Sequence, residues 1–131
     1  MNTSPAAPAL PILVVEDDAA IRRIVLAQLK ALGYEAVGAP DGRVALALLD
    51  DGLRPGLLFT DMVMPGGMDG LQLAAAVADR LPDVRVLFTS GYGHLGDVED
   101  GRRPHVLDKP YPRAALAAKL AEVWAAAPYR D

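Results

Sequence analysis

Two short apolar runs in this chain end directly in carboxylates. Ile12 to Val15 stops at Glu16, Asp17 and Asp18, and Leu57 to Phe59 runs through Thr60 into Asp61. A short β-branched and Leu run without polar alternation suits a strand buried on both faces, as in a parallel sheet. The residues between the runs carry the helical period. Ile21, Ile24, Val25, Leu29 and Leu32 fall at spacings of three and four, and Gly33 follows where a helix takes its left-handed cap. Asp18 is placed to cap the start of that helix.

The alternation continues to the end of the chain. Tyr34 to Ala39 reads as a second strand, Pro40 to Gly42 as a turn, and Arg43 to Leu49 as a helix. After the Gly56 to Thr60 strand comes a loop at Met64 to Gly67. A helix over Leu71 to Leu81 is closed by Pro82, and a strand follows over Val84 to Thr89. The glycines between Ser90 and Arg103 leave room only for a short or frayed helix. His105 to Asp108 is a fifth strand. Pro112 to Ala127 is a last helix with Leu116, Leu120, Val123 and Trp124 on one face. Right-handed βα crossovers then require an α/β fold, a parallel sheet with helices on both faces. Residues 1–10 read as a flexible leader, 11–127 as the folded domain and 128–131 as a tail.

Composition narrows the function. At 131 residues, 52% hydrophobic but only 5% aromatic, the chain supports one aliphatic core. It has no cysteine, so disulfides, Cys-ligated zinc and thiol nucleophiles are excluded. The net charge of −4 argues against a nucleic-acid surface. No apolar run approaches the roughly 18 residues of a membrane helix, and the amino-terminal stretch lacks a signal-peptide pattern. A soluble, unexported, cytoplasmic protein without a membrane partner is expected.

In such sheets ligands bind beyond the carboxyl ends of the strands, at the point where strand order reverses. Reading only those ends collects Glu16 and Asp17, then Asp61, then Thr89 and Ser90, then Lys109. Each like-charged pair brought to ~4 Å costs about 4 kcal/mol at an effective dielectric near 20, so a cation has to compensate. An oxygen-only donor set suits Mg²⁺, which keeps waters and takes a phosphate oxygen, and Lys109 adds a mobile charge for a phosphoryl group. Taken singly, an acid at a strand end is ordinarily a solvated loop residue or a helix cap. Four strand ends with compatible chemistry are a different matter.

The segments ILVVEDD at 12–18, LLFTDMVMPGGMDG at 57–70, VLFTSG at 86–91 and LDKPY at 107–111 resemble the receiver domain of two-component response regulators, including its chemotaxis-regulator branch. The likeness runs from about Ile12 to Ala127. It implies a flavodoxin-like (βα)5 fold, a doubly wound five-stranded sheet in the order 2-1-3-4-5. It also implies that Asp61 is the phosphoacceptor and that Asp17 binds Mg²⁺ directly, with Mn²⁺ able to substitute. Glu16 would hold the metal mainly through water, and the Val63 backbone carbonyl would complete the protein ligands. Thr89 would be the switch hydroxyl, and Lys109 would pair with the phosphoryl group before a cis bond to Pro110. The implied donor is a histidine kinase or a histidine phosphotransfer protein. The implied chain is a phosphoacceptor that promotes its own phosphorylation and dephosphorylation rather than a conventional enzyme, acting as a monomer or a phosphorylation-linked homodimer.

Two positions depart from the pattern. Glu16 stands where many members have Asp, and Val106 stands where many have a Tyr or Phe that rotates on phosphorylation. Tyr92 is a candidate replacement for that aromatic. Met1 favours a complete reading frame, and no helix-turn-helix or catalytic module follows residue 127. The FTSGY and LDKPY segments resemble receivers of hybrid histidine kinases, so a stand-alone receiver and an excised module are both expected possibilities. A small Mg²⁺-dependent aspartyl-phosphate phosphatase is disfavoured, because Val63 occupies the place of the second acid such enzymes use. A flavin binder lacks the aromatic residues for stacking.

Overall fold

The computed structural model describes residues 10–64, 67–91 and 105–130. Five parallel strands, β1 (Ile12–Val15), β2 (Ala36–Ala39), β3 (Leu57–Asp61), β4 (Arg85–Ser90) and β5 (Val106–Asp108), form one sheet in the order β2-β1-β3-β4-β5. Four helices are present among the described residues: α1 (Ala19–Ala31), α2 (Gly42–Asp50), α3 (Gly70–Arg80) and α4 (Arg113–Ala125). The short helix expected between Ser90 and Arg103, with Tyr92, lies almost wholly outside the described residues. So do residues 1–9 of the expected leader and Pro65 and Gly66 of the expected loop.

Strand side chains alternate between two cores. Leu13, Val15, Leu58, Val86 and Phe88 face α2 and α3, where Leu49, Leu73 and Val77 close over them. Ile12, Val14, Leu57, Phe59 and Leu87 face the other way, onto Val25 and Leu29 of α1 and Leu116, Leu120 and Val123 of α4. With both faces covered, β1 and β3 are buried at every position, which is why they read as continuous apolar runs.

Helix ends follow local chemistry. The Asp18 carboxylate accepts from the Ala20 and Ile21 N–H groups, as expected for the cap of α1. At the other end Gly33 takes φ 96°, Tyr34 N–H donates to Leu29 O and Gly33 N–H to Lys30 O, a Schellman closure. That closure occupies Tyr34, so β2 begins at Ala36, two residues later than expected. Asp69 and Gln72 form a capping box that starts α3. The last helix ends at Ala125 rather than Ala127. Ala126 is extended, and Pro128 disfavours helical backbone in the residue before it.

One other expectation is corrected. Of the periodic stripe on α1, Val25 and Leu29 are buried, whereas Ile21 and Ile24 are 42% and 58% exposed. These side chains line an open cleft together with Val14, Val15 and Phe59 instead of closing onto the sheet. On α4, Trp124 is only half-buried and leans on Gly56, where an added Cβ would fall 2.7 Å from its indole. Beyond α4 the chain returns to β4. Tyr129 N–H donates to Val84 O, the Tyr129 ring meets Phe88 edge-on at 6.1 Å, and Arg130 pairs with Asp79.

Candidate functional site

The carboxyl ends of β1, β3, β4 and β5 meet over the centre of the sheet. The pairing Asp61↔Thr89 sets the acid on β3 beside the hydroxyl on β4. Thr89 Oγ1 donates to Asp61 Oδ1 at 2.6 Å, and Lys109 Nζ stands 2.6 Å from the same oxygen. Lys109 Nζ also lies 3.8 Å from Glu16 Oε1. Lys109 follows directly on β5, where its own N–H donates to Ser90 O at 2.8 Å, and the Lys109–Pro110 bond is cis as expected. Glu16, Asp61 and Thr89 are buried, whereas Asp17 is exposed.

Carboxylate oxygens of Glu16, Asp17 and Asp61 lie within 4.8 Å of one another. Three carboxylates with no His or Cys form a hard-donor set, and that chemistry fits Mg²⁺. Val63, two residues past Asp61, is 60% exposed at the rim. The structure thus brings together the side chains of Glu16, Asp17, Asp61, Thr89 and Lys109, with Lys109 as the cation between two of the acids.

The electrostatics follow from crowding. Burial is the largest influence on the Glu16 carboxyl and raises it to about 7. The Asp61 charge and bonds to Asp17 and Asp61 push the same way, against the Asp18 N–H, which donates to Glu16 Oε2 at 3.0 Å. For Lys109 burial works to lower the ammonium, but the hydrogen bond to Asp61 and the charges of Asp61, Glu16 and Asp17 outweigh it, so its pKa rises. Lys109 therefore stays charged.

Three contributors are given no role by the sequence, although Gly70 closes the 57–70 segment and Tyr111 the 107–111 segment. Gly70 opens α3 directly behind Asp61, and a Cβ there would fall 1.9 Å from the Asp61 carbonyl oxygen. Tyr111 packs its ring on Phe59 at 6.5 Å, and burial, then the Asp61 and Glu16 charges, hold its hydroxyl up at about 12. Arg22 donates to the Glu16 carbonyl at 2.7 Å. Its spacing of six from Glu16 is the only sequence clue to that contact. Between α1 and the segment after β5 lies a cleft of about 250 Å³ that runs from Ile21, Ile24 and Tyr111 inward to Asp61.

Fold and site together define a receiver module, a parallel α/β domain built around one acid on β3. The response regulator receiver domain family model matches residues 12–121, and this chain belongs to that family. It is 32% identical over 120 residues to the response regulator receiver protein CpdR of Brucella abortus (strain 2308), covering 88% of this chain and 98% of CpdR. Against the probable transcriptional regulator ycf27 of Galdieria sulphuraria it is 32% identical over 113 residues, 83% of this chain but 43% of the relative. Among solved structures, the receiver domain of the hybrid histidine kinase CckA is 34% identical, with TM-score 0.71 over 86% of this chain and 96% of that one. Receiver domains of two-component systems are phosphoacceptors served by histidine kinases, and the family in general binds Mg²⁺. Among the described residues no helix is long and apolar enough to cross a membrane.

Proposed function

We propose that this chain accepts a phosphoryl group on Asp61 from the phosphohistidine of a histidine kinase or histidine phosphotransfer protein, in a Mg²⁺-dependent reaction. The observation that carries this reading is that Lys109 Nζ and Thr89 Oγ1 both stand 2.6 Å from Asp61 Oδ1, so charge and hydroxyl converge on one carboxylate. A carboxylate is a weak nucleophile, and the donor's P–N bond provides the driving force. An Asp61 oxygen forms the new P–O bond in line as the P–N bond breaks, and the partner's imidazole leaves with the electron pair. The Lys109 ammonium neutralises charge on the transferring group. The Thr89 hydroxyl turns from Asp61 to a phosphoryl oxygen and carries the change into β4. Asp17, Asp61 and the Val63 carbonyl would hold the metal, with Glu16 acting mainly through water. Bound Mg²⁺, or Mn²⁺ in its place, would supply further charge neutralisation and orient the phosphoryl oxygens.

The donor's approach is along Ile21 and Ile24 on α1, exposed aliphatic side chains that line the cleft leading to Asp61. Clustered apolar residues beside a polar site are a protein-contact surface. The output is read as protein contact by a monomer or a phosphorylation-linked homodimer in the cytoplasm. The chain works as a self-phosphorylating switch rather than a conventional enzyme. The match to the receiver of the hybrid histidine kinase CckA supports a place in a phosphorelay.

Intact mass after incubation with acetyl phosphate and Mg²⁺ tests the acceptor. A gain of about 80 Da, one phosphoryl group, is expected in the wild type and not in Asp61→Asn. An equal gain in Asp61→Asn would remove the assignment.

A further inference from the structure

The carbonyl of Glu16 leaves the sheet where no rung meets it. Glu16 N–H donates to Ala39 O at 3.1 Å, and β2 ends at Ala39. Within a strand, a residue's N–H and C=O point to the same side. The Glu16 carbonyl therefore faces the place where Pro40 turns the chain away. Arg22, in the first turn of α1, fills this gap, with Nη1 donating to Glu16 O at 2.7 Å. To reach it the arginine stem lies flat on β2, which Gly38 permits. A Cβ at Gly38 would fall 3.0 Å from Arg22 Cδ and 3.2 Å from Arg22 Cγ.

The clamped oxygen belongs to the peptide unit that joins Glu16 to Asp17. Rotation of that one unit would swing both carboxylates relative to Asp61. We infer that Arg22 is a positioning residue for the metal site: seated on Gly38, it locks this peptide and so sets the directions in which Glu16 and Asp17 present their oxygens. The inference rests on the reading of the three acids as a divalent-cation site. Arginine suits the role because its charged fork makes a strong, directional bond to a carbonyl while its stem packs on the sheet.

Charge and clamp predict opposite results. Removing a cation beside a metal site strengthens cation binding by Coulomb's law alone, whereas releasing a clamped ligand pair weakens it. Mn²⁺ binding to the metal-free chain, followed by the electron paramagnetic resonance signal of the free ion, separates the two. Arg22→Gln removes both charge and clamp. Gly38→Val keeps the charge but displaces the stem, with a residue that favours strands.

Each variant is expected to weaken Mn²⁺ binding by about tenfold, as for other groups that orient metal ligands. The double variant should bind no more weakly than Arg22→Gln. Affinity in Arg22→Gln equal to or tighter than wild type would overturn the inference, as would losses that multiply in the double variant. If thermal melting shows Gly38→Val unfolded, Gly38→Ala takes its place, with a smaller loss expected in the same direction and unchanged affinity counting against the clamp. A wild-type chain that holds no Mn²⁺ removes the metal-site reading itself, and the positioning role with it. A wild type that binds Mn²⁺ while the variants match it removes only the positioning role.

Discussion

Gly70 sits so close behind Asp61 that any side chain there would collide with the main chain of the acceptor. Its hypothetical Cβ falls 1.9 Å from Asp61 O and 2.9 Å from Asp61 C, and Gly70 N–H donates to Met62 O at 3.0 Å. The start of α3 is therefore docked on the backbone that aims the acid. Gly70→Ala has to push α3 and the end of β3 apart. A loss of about 3 kcal/mol is expected, at the upper end for overpacking, because neither colliding group is a flexible side chain. Urea denaturation measures it, and a midpoint equal to wild type would mean that α3 is not docked this way.

Lys109 makes the second prediction. Lys109→Ala withdraws the cation that stands 2.6 Å from Asp61 and 3.8 Å from Glu16, but it removes no metal ligand. Mg²⁺ binding should persist, and phosphoryl uptake from acetyl phosphate at saturating Mg²⁺ should slow on the order of a hundredfold, as for loss of one charge-stabilising donor. Stopped-time intact mass gives the rate. An unchanged rate, or loss of Mg²⁺ binding alone, would contradict the role given to the lysine.

Thr89→Val tests the switch. Valine keeps the shape of threonine and its strand preference, but it cannot donate to Asp61 Oδ1. Buried Asp61 loses one partner, at a cost of about 2 kcal/mol for a hydrogen bond to a charged group. Phosphorylation should still add mass, while the phosphorylation-dependent change in amide exchange along β4 should shrink or vanish. Full retention of that change would show that signal leaves Asp61 by another path. This variant matters more here because Val106, the register partner of Phe88, has no aromatic ring to move.

How far the sequence reveals this site depends on where the physics is local. The acids at the ends of β1 and β3 stand out because strands buried on both faces admit no polar residue until the sheet stops. The order β2-β1-β3-β4-β5 was not readable from periodicity, since a parallel sheet can be wound in several orders with the same pattern. It came from the family resemblance. Arg22 was missed because an arginine at the start of an amphipathic helix looks like any solvated residue, and only the end of β2 gives it a carbonyl to hold. Gly70 was missed because a glycine opening a helix has many uses, and the close approach of Asp61 is a tertiary fact. The exposure of Ile21 and Ile24 defeats periodicity for a related reason. The helical stripe runs on along an open cleft beside the acids, where nothing closes over it.

The Glu16 carboxyl, raised to about 7 mainly by burial, ties stability and metal binding to pH. Its folded pKa lies above the ordinary value of 4.5, so between the two the native metal-free chain holds a proton that the unfolded chain has lost. That contribution is fully present below pH 4.5 and is lost as pH rises through about 7. Divalent-cation binding needs Glu16 ionised and so works against the same proton. Mg²⁺ affinity should rise with pH up to about 7 and level off above it, and binding at pH 6 should release close to one proton. Calorimetry at pH 6 in two buffers of different ionisation enthalpy measures that release directly. In Glu16→Gln it should vanish, because the side chain no longer titrates, and with it the fall in metal-free stability as pH rises toward 7. Proton release that persists at full size in Glu16→Gln would place the titrating group elsewhere among the three acids.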